Sequence, residues 1–112
     1  DNIINNKKTD IKTMGRTVDI KDHYVHNFIG LQKNYANDSY IFCSYNKKRD
    51  VIQICGWINK DEFFKKCSFF KKGVKRYRDD GSYFNTKTDL YEIKNIDLIG
   101  INNFNDLKNV GK

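Results

Sequence analysis

The sequence predicts an α/β (α+β) domain, a mixed β-sheet with short flanking helices. Three observations carry that prediction. The runs SYIFCSY (39–45) and VIQICGW (51–57) are dense in β-branched and aromatic residues, as strands are. Two further β-prone segments, 9–13 and 17–21, flank Met14-Gly15-Arg16. Helical patterning is short and follows Asn59, where Glu62 completes a capping-box spacing ahead of FFKKC.

Taken in order, the opening DNIINNKK is polar and Asn-rich, and residues 9–21 are expected to form a β-hairpin with Gly15 in its tight turn. Residues 22–38 hold both histidines and Gly30, with an extended candidate at 27–32. Runs 39–45 and 51–57 are apolar on both faces, so they are expected as paired central strands covered on two sides, joined by the loop NKKRD. A helix is expected over 60–67, then a long basic excursion over 68–88 whose Asp80-Gly81 marks a turn. DLYEI (89–93) reads as a last strand, and 95–100 and 103–109 as short helical turns.

A chain of 112 residues is one domain's worth and buries roughly two thirds of its unfolded surface. One domain over 1–112 is expected, with its core in 9–98 and a tail in 99–112. Aromatics make up 14% of the residues, so Phe, Tyr and Trp57 are expected to supply much of the core area. Cys43, Cys55 and Cys67 are an odd number without C-x-x-C spacing, which predicts reduced, buried thiols rather than disulfides or a zinc knuckle. No apolar run approaches a membrane span and no leader pattern opens the chain, so no membrane partner and a cytoplasmic location are expected.

The formal charge of +7 points to a polyanionic partner, nucleic acid first, and a merely solvated basic surface is an equal reading of the charge alone. Lys65, Lys66, Lys71, Lys72, Lys75, Arg76 and Arg78 concentrate that charge, interleaved with Phe69, Phe70 and Tyr77. Such a segment tracks phosphates and stacks rings on bases, although a solvated loop whose aromatics cover the core has the same composition.

If the expected hairpin forms, the carboxylates of Asp10 and Asp19 converge into an oxygen-rich site for a hard divalent cation. Lys21, two residues past Asp19, then shares its strand face and sets an ammonium beside the ion. That ammonium holds a water or neutralises charge on a pentacovalent phosphorus. The plainer alternative is a cross-strand ion pair worth about 0.2–1 kcal/mol. His23 and His26, spaced H-x-x-H, suit a substrate contact near the mouth of this site better than a zinc site, because no cysteine stands close by in sequence.

Thr9-Asp10, then Asp19-Ile20-Lys21, resembles the (P)D…(D/E)-x-K signature of the PD-(D/E)XK nuclease superfamily. SYIFCSY, NKKRD, VIQICGWI and NKDEFFKKC resemble the strand, charged turn, Gly-Trp-Ile strand and helix of its small phage and bacterial members. Thr9 replaces the proline, and Asp19 stands where Glu is more usual. The resemblance implies a restriction-endonuclease-like fold and Mg²⁺- or Mn²⁺-dependent hydrolysis of DNA phosphodiesters in a bacterial or phage-infected cell. It also implies metal binding by Asp10, Asp19 and the Ile20 carbonyl, with Lys21 orienting the water. Gln32 with Tyr35 resembles the Q-x-x-x-Y element of one branch, one residue short, and is a candidate substrate contact. The family's helix ahead of the first acid has no room in the nine residues before Asp10, so it is expected to be missing, replaced, or supplied by a homodimer partner or another chain. Hence a nuclease-like module that binds nucleic acid or inhibits a protein without cutting stays open, as does a basic phage structural protein.

Overall fold

The computed structural model describes residues 2–78 and 81–112. Among the described residues, ten strands and one short helix follow in chain order: β1 (Asn2–Ile4), β2 (Lys7–Arg16), β3 (Val25–Ile29), β4 (Ser39–Asn46), β5 (Val51–Asn59), α1 (Lys60–Lys66), β6 (Ser68–Phe70), β7 (Lys75–Tyr77), β8 (Tyr83–Asn85), β9 (Leu90–Lys94) and β10 (Ile99–Gly100). Short 3-10 turns occupy Gly30–Asn34, Asn95–Asp97 and Phe104–Asn109. The architecture is mixed α/β, mostly sheet.

The largest sheet runs β1-β2-β4-β5-β10. The expected central pair is present: β4 and β5 are antiparallel, and β4 lies between β2 and β5. Strand β4 is buried along nearly its whole length, but the first half of β5 is largely open to solvent, so only its second half is covered on both sides. A register shift between Phe42 and Cys43 marks a bulge in β5, where Cys55 is the extra residue. Gly56 follows it, where a Cβ would stand 2.7 Å from the Ile99 carbonyl; glycine is what lets β10 close that edge.

The 9–21 hairpin does not form. Strand β2 continues through Gly15 to Arg16 and pairs in parallel with β4, from Thr9 opposite Ser39 to Arg16 opposite Asn46. The hairpin at this end is β1–β2, turned by Asn5 and Asn6 with φ of 53° and 63°. Two consecutive left-handed residues make the type I′ geometry that matches strand twist, and Asn tolerates it.

A second sheet, β3-β9-β6, contains DLYEI as its middle strand. It and α1 cover one face of the first sheet through Phe28, Tyr40, Phe42, Ile58, Phe63, Ile93 and Leu98. Phe63, fully buried, stacks on Phe42 at 5.8 Å and meets Tyr40 edge-on at 5.3 Å. The opposite face carries Ile41, Cys43, Trp57, Ile101 and Val110, so residues of the 99–112 segment pack into this second cluster. Asn59 precedes α1 as expected, but its side chain makes no capping bond. A capping box does form at Asn103 and Asp106. All three cysteines are free thiols. Strands β7 and β8 pair alone as a two-stranded ribbon, and Gly81 beside its tip has a φ of 85°. Asp80 lies outside the described residues. Among the described residues no helix is long and apolar enough to cross a membrane.

Candidate functional site

Alternation along β2 sends Asp10, Lys12, Met14 and Arg16 to the face that meets β3 and the Gly30–Asn34 turn, leaving Ile11, Thr13 and Gly15 exposed. On that face the Lys12 ammonium lies 2.8 Å from Asp10 Oδ2, and both side chains are largely shielded from solvent. The same ammonium donates to Gln32 Oε1 and stands 5.3 Å from the centre of the Phe28 ring. Gln32 reaches it because its turn is docked on β9: the Gly30 amide donates to the Asp89 carbonyl at 2.8 Å, where a Cβ would sit 2.8 Å from the Asp89 Cβ. Burial, reinforced by the nearby Asp10 charge, pushes the Tyr40 phenol up to about 12, so it stays neutral beside this carboxylate.

Lys12 and Gln32 open onto a cavity of about 180 Å³ that also receives His26 and Asn27. His26 is 1% exposed, and its Nε2 meets Asn95 Oδ1 at 3.0 Å. That contact makes Nε2 the donor and leaves Nδ1 an acceptor, without a hydrogen-bond partner among the described residues. Burial holds the His26 pKa down against the Asn95 bond, and the Arg16 charge lowers it further.

Asp19 and Lys21 are elsewhere. Asp19 accepts from Asn46 Nδ2 at 2.9 Å and from Arg49 at 2.6 Å, which ties the 17–24 loop to the β4–β5 turn. Asp10 is opposite Tyr40 and Arg16 is opposite Asn46. Six residues of strand therefore separate the two acids, about 20 Å at about 3.3 Å per residue. The carboxylates of Asp10 and Asp19 do not share an ion, because continuous parallel pairing of β2 replaces the hairpin that was to bring them together. The Ile20 amide donates to Gln53 Oε1 at 3.0 Å, at this same distant end. Lys21 is exposed, its ammonium 5.9 Å from the Tyr24 ring centre. His23 stacks edge-on with Tyr24 and lines a different cavity from His26, so the H-x-x-H pair is split.

The basic segment divides too. Lys71, Lys72, Lys75 and Arg78 are exposed, and Lys65 pairs with Glu62 at 3.4 Å beside Lys66 at the end of α1. Arg76 turns inward: it meets Glu92 at 3.0 Å and lies over Phe70, its guanidinium carbon 3.6 Å from the ring centre.

The lysine that meets an aspartate is Lys12, which was not among the expected site residues. Asp-Ile-Lys occurs twice, at 10–12 and 19–21, and each copy has an Asp nine positions ahead of it. Strand continuity is the property that separates them, since period-two alternation brings Asp10 and Lys12 together while residues 19–21 lie outside any strand. Among the described residues no three His, Cys, Asp or Glu side chains gather into a metal-binding group. No known protein family, curated protein or solved structure matches the chain.

Proposed function

We propose that this chain is a metal-dependent deoxyribonuclease domain of restriction-endonuclease-like type, in which Asp10-Ile11-Lys12 is the D-x-K element. The observation that carries the reading is the Lys12 ammonium, held by the Asp10 carboxylate and the Gln32 carbonyl oxygen on one face of a mixed sheet. A lysine fixed on two sides presents its charge without reorganisation to a phosphate oxygen that gains charge as the phosphorus becomes five-coordinate. Gln32 sets the direction of that charge, and the Phe28 ring screens it from bulk water.

Asp10 is the hard oxygen ligand this strand offers to a divalent ion. One carboxylate suffices where the substrate phosphate and water complete the octahedron of Mg²⁺. Bound there, Mg²⁺ or Mn²⁺ would polarise the phosphate and acidify a water.

The test is cleavage of plasmid and of single-stranded DNA with Mg²⁺, Mn²⁺ or EDTA. Wild type cuts with metal, Lys12→Ala and Asp10→Asn do not, and Asp19→Asn and Lys21→Ala still do. Loss of cutting in Lys21→Ala with retention in Lys12→Ala would reverse the assignment. The second reading, a module that binds without cutting, is favoured by the lack of a three-ligand metal group among the described residues. Retarded DNA that stays intact with either metal would select it.

A further inference from the structure

A larger cavity, about 370 Å³, lies between the β7–β8 ribbon and the far end of β2. It shares Met14 and Asn27 with the Lys12 cavity, so the two are neighbours along the same strand face. Three properties of its walls point to one kind of ligand. Among the described residues its walls are cationic: Arg76 and Glu92 neutralise each other, whereas neither Arg16 nor Arg78 pairs with a carboxylate. Arg16 is half-buried, its guanidinium donating to Ser44 Oγ at 2.8 Å and to the Val25 carbonyl, both neutral. A guanidinium kept from water without an anion is costly, and a phosphate would relieve that cost.

The walls are also aromatic. Tyr77 is 67% exposed at the ribbon edge, and the Arg78 guanidinium carbon lies 4.8 Å from the centre of the Phe84 ring. A cation over a ring, beside an exposed tyrosine, is a platform for a base. Finally, Asn27 Oδ1 is buried on the shared wall with no hydrogen-bond partner among the described residues. It needs a donor, and an unpaired base offers N–H groups on the edge that a duplex occupies with the complementary base.

We infer that this cavity receives one unpaired nucleotide of a single strand, its base against Tyr77 and the Arg78–Phe84 stack and its phosphate on Arg16 and Arg78. The volume lies near the lower end of ligand pockets, which suits one nucleotide and not a duplex. This deepens the nuclease reading and rests on it: a nucleotide held here places the neighbouring phosphate toward Lys12, so the substrate is single-stranded or locally unpaired DNA. A two-stranded ribbon is also of a size to enter a major groove, so duplex recognition is the competing outcome.

The experiment is fluorescence anisotropy in EDTA, where no cutting occurs, with one labelled oligonucleotide alone or annealed as a blunt duplex. The single strand should bind about tenfold more tightly. Tyr77→Ala and Arg78→Ala should each weaken it by about tenfold while changing duplex binding little, and Tyr77→Phe should bind as wild type does. Circular dichroism confirms that each variant is folded; Tyr77 and Arg78 are exposed, and Tyr77→Phe covers a misfolded alanine variant. Duplex binding as tight as single-strand binding, equal loss of both in the variants, or no binding of either overturns the inference. Because the assay needs no chemistry, its failure is separable from a failure of Asp10 and Lys12 to support cleavage.

Discussion

Replacing Arg76 by Met separates the structural from the electrostatic part of the basic segment. Glu92 has 8% of its side chain exposed and Arg76 31%, and the guanidinium lies on Phe70 as well. Removing one partner of a fully buried ion pair costs about 3–5 kcal/mol because the other charge is stranded, whereas exposed pairs contribute about 0–1 kcal/mol. With one partner inside and the other at the boundary, Arg76→Met should cost about 2–3 kcal/mol. At about 1–2 kcal/mol per molar urea, the denaturation midpoint drops by roughly 1–3 M. The double variant Arg76→Met/Glu92→Gln should recover most of this, since the stranded charge is gone. DNA binding reports the complementary half. Glu92 already neutralises Arg76, so the salt dependence of binding should stay unchanged in Arg76→Met, while exposed Lys71→Ala lowers its slope by about one. A midpoint within about 0.3 M of wild type, or a salt slope that falls with Arg76→Met, refutes this account of the pair.

The remaining predictions concern the N-terminal turn and the buried histidine. Asn5 Nδ2 reaches the carbonyls of Leu107, Lys108 and Val110 at 2.9–3.1 Å, so Asn5→Ala loses that anchor and strains a left-handed residue, costing about 2 kcal/mol. Asn6→Gly, at a φ of 63°, should be neutral or stabilising by up to about 1 kcal/mol; equal urea midpoints for the two variants would contradict the distinction. His26 titrates below its ordinary 6.5, because burial opposes its charge. Between that lowered value and 6.5 the unfolded chain binds more protons, so the stability from neutral His26 is fully present above 6.5 and is lost as pH falls through this window. Urea midpoints measured across it should fall more steeply for wild type than for His26→Gln, and parallel curves would rule His26 out as the source.

The parts of the fold legible in the sequence were those decided by local pattern. Dense apolar β-branched runs marked β4 and β5, a polar loop joined them, and the chemistry around Asn59 marked where α1 begins even though the cap bond is absent. The N-terminal third was decided non-locally. Gly15 looked like a turn, yet a glycine is also tolerated inside a strand, and here the Lys47 side chain lies over it where a Cβ would stand 2.7 Å from the Lys47 Cε. The actual turn used Asn5-Asn6, a weaker signal than Asn-Gly. Parallel pairing of β2 with β4 leaves no local trace, because residues 17–38 intervene.

The candidate site was illegible in the sequence for the same reason. Period-two alternation does put an aspartate and a lysine two residues apart on one face, and it does so at Asp10 and Lys12, where the chain is a strand. Applied to Asp19 and Lys21 it failed, because that stretch is a loop held by Asn46 and Arg49. The continuity that separates Asp10 from Asp19 has a positive consequence. One uninterrupted strand face carries Asp10, Lys12, Met14 and Arg16 in sequence, so an ammonium suited to a phosphate and a guanidinium suited to its neighbour stand at a spacing set by the backbone alone. Lys12 and Arg16 are four residues apart, about 13 Å of strand at about 3.3 Å per residue, within the reach of two successive nucleotides of an extended single strand once both side chains lean toward it. A hairpin at Gly15 would have folded Arg16 into the turn and removed that alignment, so the feature that dissolves one candidate centre is also what gives the other its geometry.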